Sequence, residues 1–286
     1  MTARDGMRIG FVGAGRVARG LGVALRDAGY DIRAVASRTP AAADALAAQL
    51  GCTATTAQGV ADRCDLVFLT VPDDAIARVA AEIRWRGGQS VLHCSGATEV
   101  AALAPAADAG AMTGGFHPLQ GFAGAGETPL AGCTVTVEAA PPLARTLDTM
   151  VAALGCRLNR LPPGKRALYH ASAGYGAGFI HVLMAEIAAV WGEWGASEAD
   201  VLAAILPMAR TTLGAIDRGG IAETMPGPVS RGDAGSIRAH LAAMEAHPER
   251  RAFYRAHTLR SVALAETAGR IDAAQADELR ALLEKN

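Results

Sequence analysis

The stretch Arg8-Ile9-Gly10-Phe11-Val12-Gly13-Ala14-Gly15-Arg16-Val17-Ala18 decides the fold class of this chain. An apolar run typical of a buried strand leads into a glycine-rich turn, and a helix-forming segment follows it. Gly13 permits the tight turn, Gly15 lets a pyrophosphate approach the backbone, and Ala18 keeps the helix close to the strand. The stretch therefore predicts a dinucleotide-binding βαβ unit. Its expected ligand contacts are Gly13, Gly15, Arg16 and Val17.

Apolar strand-like runs and alanine-rich helical runs alternate from residue 8 to about residue 160, as in a parallel sheet wound by helices. The predicted strands are Arg8–Val12, Asp31–Ala36, Leu66–Thr70, Ser90–Cys94 and Thr134–Glu138. Beyond Lys165 only helices are predicted, near 165–194, 198–217, 233–245, 249–268 and 272–284. We therefore predict an α/β chain with a Rossmann domain over residues 1–161 and an all-helical domain over residues 162–286.

The composition excludes several classes of protein. A net charge of −1 over 286 residues gives the chain no reason to bind nucleic acid. The apolar stretch 179–191 is too short to span a bilayer, and the first residues lack a signal-peptide pattern. The five cysteines form no CxxC pair, so neither a metal site nor a disulfide framework is predicted. We expect a cytoplasmic protein with reduced thiols and no membrane partner.

The end of the second strand predicts the cofactor. An NAD-binding protein usually has an acidic residue there, whereas this chain has Ser37-Arg38-Thr39, which can bind and neutralise a 2′-phosphate. NADP is therefore preferred to NAD. Val71 and Pro72 follow the strand that ends at Thr70, and we expect them to pack against the dinucleotide.

Two segments at the expected ligand edge of the sheet carry polar groups. Ser95 follows the strand that ends at Cys94, and it could bind nicotinamide or substrate, or could cap a helix. His117 follows Gly114-Gly115 and precedes a proline, which predicts an imidazole on a stiff loop that exchanges a proton near neutral pH. A histidine that is only hydrogen-bonded within a turn is the alternative.

Lys165 stands out because only two of the 27 basic residues are lysines. Lysine can lose its proton near neutral pH when it is desolvated, and arginine cannot. Tyr169 lies one helical turn further on the same predicted face, and His170 is its neighbour. This face could recognise a carboxylate and protonate a carbonyl, or could be a solvated first turn.

Arg231 lies in the string Gly227-Pro228-Val229-Ser230-Arg231-Gly232-Asp233. Its guanidinium could hold a substrate carboxylate, while Asp233 is expected to cap the next helix.

Taken together, these strings resemble a bacterial family of Rossmann-like oxidoreductases with a helical C-terminal domain of formerly unknown function. The resemblance is carried by VGAGRVA at 12–18, HCSGA at 93–97, FHPLQGF at 116–122, Lys165 with Tyr169-His170, and GPVSRGD at 227–233 followed by His240. It implies a place in the 6-phosphogluconate dehydrogenase-like superfamily, near ketopantoate reductase, pyrroline-5-carboxylate reductase and prephenate dehydrogenase.

The resemblance implies roles for several residues. Lys165 matches the catalytic lysine of β-hydroxyacid dehydrogenases, and His117 matches the His-Pro histidine of prephenate dehydrogenases. The family has an asparagine where this chain has Gly178, which removes a polar group from the expected site. A homodimer formed through the helical domain is also implied.

The expected function is NADP-dependent hydride transfer to or from a small carbonyl, hydroxyl or imine compound that bears a carboxylate, such as the 2-oxo acid 2-dehydropantoate. Either Lys165 or His117 would donate the proton, and Arg231 or Ser95 would hold the carboxylate. A prephenate-type dehydrogenase with His117 as its base is one alternative. A redox sensor that binds NADP(H) without turnover is the other.

Overall fold

The computed structural model describes residues 6–122 and 130–285. The chain divides into two compact units, Met1–Phe179 and Ile180–Asn286. The strands of the first unit are β1 Arg8–Val12, β2 Asp31–Ala36, β3 Thr53–Ala54, β4 Leu66–Leu69, β5 Ser90–His93, β6 Met112–Leu119, β7 Thr134–Ala139 and β8 Arg157–Arg160. Its helices are α1 Arg16–Asp27, α2 Pro40–Leu50, α3 Ala57–Arg63, α4 Ile76–Glu82, α5 Ala104–Asp108, α6 Leu143–Ala153 and α7 Arg166–Gly176.

The eight strands form one sheet in the order β3-β2-β1-β4-β5-β6-β7-β8. Every neighbouring pair is parallel except β6 and β7. The strand order reverses direction at β1, where β2 and β4 lie on either side, and such a switch point leaves a crevice at the carboxyl edge of a sheet. The predicted α/β class with an N-terminal Rossmann domain is confirmed.

Two apolar clusters, one on each face, hold the sheet between its helices. One cluster is built around Phe11 and Phe68, whose rings stack with centroids 5.3 Å apart, and Phe116 meets Phe68 edge-on. The other cluster includes Val67, Leu69 and Val91 on the opposite face. Burial on both faces explains why β1 and β4 are read from the sequence as continuous apolar runs.

His117 lies on a strand, and its predicted position on a loop is wrong. Strand β6 pairs with β5 only as far as Gly115, and with β7 from Gly114 to Leu119. Beyond Gly115 the strand thus has one sheet partner, and proline is tolerated at such an edge. Pairing with β7, twenty residues further along the chain, overrides the local turn signal.

Helix α8 spans Gly178–Gly192, and all but its first two residues belong to the second unit. The unit continues with α9 Glu198–Gly219, α10 Ala234–Ala243, α11 Pro248–Thr267 and α12 Ala273–Glu284. Its buried core is formed by apolar residues of the last three helices and the turn before them, including Val229, Ile237, Val262 and Leu279. Asp233 accepts a hydrogen bond from the Ser236 backbone N–H, which confirms its predicted role as the cap of α10.

The first compact unit ends later than the domain boundary that we predict near residue 161. The sheet ends at Arg160, in line with the predicted change from mixed to helical structure, but α7 belongs to the first unit. Compactness and change of secondary structure are different criteria, so the boundary stays a prediction.

Two apolar helical stretches, Arg166–Gly192 and Glu198–Gly219, are long enough to cross a membrane by length and composition. The first is longer than the stretch 179–191 considered from the sequence, and the helix is interrupted at Ala177. Almost none of their most apolar windows is buried within the chain. A helix that docks on another protein surface has the same composition, and these helices follow a Rossmann sheet, so the two stretches are weak evidence for a membrane.

Candidate active site

A cavity of about 400 Å³ lies at the carboxyl ends of β1, β2 and β4. It is lined by Val12, Gly13, Ala14, Gly15, Ala36, Ser37, Arg38, Thr39, Ala57, Thr70, Val71, Pro72, Ala75, Arg78, Val79 and Glu82. The structure therefore brings together seven of the nine residues predicted to contact a cofactor. The other two, Arg16 and Val17, lie in the first turn of α1 without lining the cavity.

The glycines of the first turn differ in why they are needed. Gly13 has φ +116°, a backbone conformation that residues with a side chain rarely adopt. A Cβ there would also clash with the Thr70 carbonyl oxygen, 2.5 Å away. A Cβ on Gly15 would meet nothing within 4 Å and would extend into open space. Gly15 caps α1 without a side-chain hydrogen bond, which leaves the first backbone N–H groups of the helix open to an anion. This geometry fits the pyrophosphate of a dinucleotide.

The rim of this cavity is cationic on two sides. Arg38 projects from the loop after β2, where the Ser37 hydroxyl accepts a hydrogen bond from the Thr39 backbone N–H. Arg78 lies on α4 and pairs with Glu82 one turn away, at 2.9 Å. Arg78 and Glu82 were not among the predicted site residues, because nothing in the local sequence distinguishes them from a solvated helix pair.

A second cavity, of about 660 Å³, lies at the same edge of the sheet between the end of β6 and helix α7. It is lined by His117, Leu119, Gln120, Gly121, Tyr169, His170, Ser172, Ala173, Gly174, Gly176 and Ala177. Three predicted site residues, His117, Tyr169 and His170, thus share one cavity. A Cβ on Gly174 or Gly176 would meet nothing within 4 Å, so these glycines leave room beside the polar groups.

The side chains of His117 and Tyr169 are in polar contact in this cavity. The Nδ1 atom of His117 lies 2.8 Å from the Tyr169 hydroxyl oxygen, and the two rings are nearly perpendicular. The ring of His170 also lies near that of His117, with centroids 6.4 Å apart. A Cβ on Gly96 would lie within 3.0 Å of both imidazoles, so the glycine allows β5 to end directly beneath them.

Arg166 anchors helix α7 to the sheet. Its side chain is fully buried, its Nε donates to Glu138 on β7 at 2.6 Å, and its Nη1 donates to the Ser95 carbonyl at 2.7 Å. Residue 115 has to be glycine where the Arg166 guanidinium contacts β6, because a Cβ there would lie 1.6 Å from Nη2 of Arg166. Tyr169 and His170 follow one turn after Arg166, so this anchor positions both above His117.

Two other predicted residues of the first unit, Lys165 and Ser95, do not line this cavity. Lys165 is exposed at the N-cap of α7, so the desolvation on which its predicted chemistry depends is not observed. The Ser95 hydroxyl accepts hydrogen bonds from the backbone N–H groups of Ala97 and Thr98, a local turn close to its predicted capping alternative. Arg231 lies exposed in a 3₁₀ turn of the second unit. The roles of all three stay predictions.

Burial controls the protonation of His117 and His93. It lowers the pKa of His117 to about 4, helped by the nearby His170 and Arg166. It lowers the pKa of the fully buried His93 to about 3, again helped by Arg166. Burial also raises the pKa of the Tyr169 hydroxyl. At neutral pH both imidazoles are therefore uncharged, and Tyr169 keeps its proton.

The lowered pKa of His93 predicts that the folded protein loses stability in mild acid. Below about pH 6.5 His93 binds a proton in the unfolded chain, whereas in the folded protein His93 stays neutral down to about pH 3. Stability is full above pH 6.5 and falls as the pH drops below it. Between pH 7.5 and 5.5, urea unfolding of the parent should lose about 1.4 kcal/mol more than unfolding of His93→Gln. Equal losses in both proteins would contradict this assignment.

Two family models match the chain. Residues 2–118 match the Rossmann-like domain, and residues 133–261 match a domain of unknown function, DUF2520. The chain thus combines a match to the Rossmann-like domain with a match to DUF2520, which confirms the resemblance drawn from the sequence. No curated protein gives a significant match.

Solved structures share this fold over nearly the whole chain. A Bacteroides fragilis protein provisionally named an NADP oxidoreductase is 24% identical, with a TM-score of 0.71 over 91% of this chain and 99% of its own. Protein TM1727 from Thermotoga maritima is 20% identical, with a TM-score of 0.76 over 92% and 100%. A reductive aminase from Aspergillus terreus, solved with NADPH and ethyl-5-oxohexanoate, is 15% identical, with a TM-score of 0.64 over 97% and 92%. These similarities establish the fold.

Proposed function

We propose that this protein is an NADP-dependent oxidoreductase. The observation that carries the proposal is the presence of two cavities at one edge of the sheet. One has an open glycine turn with Arg38 at its rim, and the other has the His117–Tyr169 pair. In an open α/β sheet this edge is where a dinucleotide and its substrate bind. The structural neighbours named for NADP and NADPH support the same class.

The cofactor we propose is NADP(H). Gly13 and Gly15 would hold the pyrophosphate against the N-terminus of α1, and Val71 and Pro72 would pack on the dinucleotide. Arg38 would pair with the 2′-phosphate, which NAD lacks. No acidic residue follows β2 to bind a free ribose 2′-hydroxyl, so NAD is the weaker candidate.

The cofactor preference is tested by reversing the charge of Arg38. Arg38→Asp should weaken NADPH binding by about 10- to 100-fold, because a charge-assisted pair is replaced by repulsion. NADH binding should change much less. Arg33→Asp is the matched control, since Arg33 lies on β2 and pairs with Asp31 outside the cavity. Fluorescence titration of both cofactors measures the effect, and equal weakening of both by Arg38→Asp would contradict the assignment.

The chemical step we propose uses a neutral His117. When bound, NADPH would supply the hydride to a carbonyl or imine carbon. With its pKa at about 4 the His117 imidazole is neutral. In the tautomer we propose, Nδ1 accepts the hydrogen bond from Tyr169 and Nε2 carries the proton that is given to the substrate. As Nε2 gives up this proton, Nδ1 takes one from Tyr169, so the imidazole remains uncharged. Tyr169 then recovers its proton from solvent.

The substrate we propose is a small carbonyl, hydroxyl or imine compound with a carboxylate, for which a 2-oxo acid such as 2-dehydropantoate is the first choice. Among the described residues that line the His117 cavity, none is an arginine or lysine. Within this cavity a carboxylate would therefore be held by hydrogen bonds from groups such as His170. The test is NADPH oxidation against paired 2-oxo acids, their neutral amides, cyclic imines and aldehydes. If the protein turns over none of these compounds, the result would count against a reductase.

Oxidation of an alcohol, with His117 as the base, is the alternative reaction. The lowered pKa of His117 keeps the imidazole uncharged and able to accept a proton at neutral pH, and it also makes His117 a weaker base than an ordinary histidine. A panel of hydroxy acids, including prephenate, with NADP distinguishes this direction from reduction. A sensor without turnover would bind NADPH yet turn over neither panel.

We also propose that the protein forms a homodimer through its helical domain. In the second unit, α8 and α9 are apolar yet contribute little to the core, and Val182, Met208 and Leu213 are at least half exposed. Exposed apolar faces of this kind mark interaction surfaces. Sedimentation analysis of the parent tests this, and a monomer at micromolar concentration would contradict it.

A further inference from the structure

Helix α4 and its N-cap residue face the Arg38 cavity with one continuous stripe of side chains. The stripe consists of the N-cap residue Ala75 and of Arg78, Val79 and Glu82 on the helix, which follow Ala75 by three, four and seven residues. This is the spacing of a single helix face. Ala75 and Val79 are apolar and suit the flat face of a base, whereas Arg78 and Glu82 place charges at the rim.

Arg78 is held in place and retains free donors. Its Nη1 atom binds Glu82 at 2.9 Å, and both side chains are about 60% exposed at the surface of the cavity. A guanidinium has five N–H donors, so the single bond to Glu82 leaves its other edge available to a phosphate. An exposed pair of this kind contributes little to stability, which leaves ligand binding as the effect worth testing.

We propose that Arg78 is a second cation for the 2′-phosphate of the cofactor, positioned by Glu82 and acting across the cavity from Arg38. This inference rests on the proposed NADP function and adds a binding residue that the sequence motif does not contain. The phosphate would then pair with Arg38 from the loop after β2 and with Arg78 from α4. Glu82 would partly offset the charge of Arg78 when no cofactor is bound.

The test compares two probes that differ only in the phosphate, 2′,5′-ADP and 5′-AMP, by isothermal titration calorimetry. Arg78→Ala should weaken 2′,5′-ADP about 10- to 100-fold, as expected for a lost charge-assisted pair, and should weaken 5′-AMP less than about threefold. Arg84→Ala is the matched control, because Arg84 lies two residues beyond α4 and outside the cavity. It should change neither affinity.

A double variant tests whether Arg78 contacts the 2′-phosphate directly or only neutralises the charge of Glu82. Arg78→Ala leaves Glu82 unpaired beside the phosphate, so part of its effect could be repulsion. If Arg78 contacts the phosphate, Arg78→Ala with Glu82→Gln should still bind 2′,5′-ADP at least about fivefold more weakly than Glu82→Gln alone. Equal affinities of these two variants would overturn the proposal.

Two further results would overturn it. Equal weakening of both probes would assign Arg78 to the adenine, and no weakening of either would make the pair an ordinary surface ion pair. Failure of the proposed function gives a different pattern, in which the parent binds neither probe. A parent that binds 2′,5′-ADP through Arg38 but is indifferent to Arg78→Ala removes only this inference.

Discussion

Replacing Arg166 by methionine is expected to lower the free energy of unfolding by about 3 to 5 kcal/mol, because it leaves the Glu138 carboxylate buried without its partner. The Arg166 side chain is fully buried and Glu138 is 8% exposed, so water cannot substitute for the lost guanidinium. The Ser95 carbonyl loses a donor in the same change. Urea unfolding measured by circular dichroism tests the prediction.

Arg160→Met is the matched control for this change. Arg160 also pairs with an acid, Asp148, at 2.5 Å, but its side chain is 54% exposed. Its loss should therefore cost less than about 1 kcal/mol. Gly115→Ala should reproduce a large loss by a separate route, since its Cβ would displace Arg166. A change below 1 kcal/mol for Arg166→Met would show that the ion pair does not anchor α7.

The largest effect on catalysis is expected from His117. His117→Asn should lower kcat by about 10²- to 10⁴-fold, the usual contribution of a group that transfers a proton in the transition state. NADPH affinity should be nearly unchanged, because His117 lies in the second cavity. Tyr169→Phe should lower kcat by a comparable factor, because without the Tyr169 proton Nε2 could give up its own proton only by leaving an imidazolate anion.

Lys165→Met separates the two predicted proton donors. Lys165 is exposed and lies outside the cavity, so we expect this variant to turn over like the parent. A loss of kcat with Lys165→Met that equals the loss with His117→Asn would restore the lysine as the donor. Steady-state kinetics on any substrate found in the panel, with cofactor affinity measured in parallel, decides between them.

The sequence by itself determined the Rossmann half of the protein. The strand, glycine turn and helix at 8–18 are adjacent in the chain, so their geometry follows from local preferences and from sterics at Gly13. The strands at 31–36 and 134–139 were likewise predicted within one residue, because β-branched residues recur along both segments. Ser37-Arg38-Thr39 was located for the same reason, as the end of a predicted strand at a known edge of the sheet.

Only the tertiary structure decided which polar groups meet at the second cavity. His117 and Tyr169 are 52 residues apart, and their contact requires both the pairing of β6 with β7 and the docking of α7. The scarcity of lysine drew attention to Lys165, yet the neighbouring Arg166 is the residue that the fold buries. One residue along a helix turns a side chain by about 100°, so adjacent positions have opposite environments. Which of them faces the sheet is set by Glu138, 28 residues earlier, a long-range contact that no local pattern encodes.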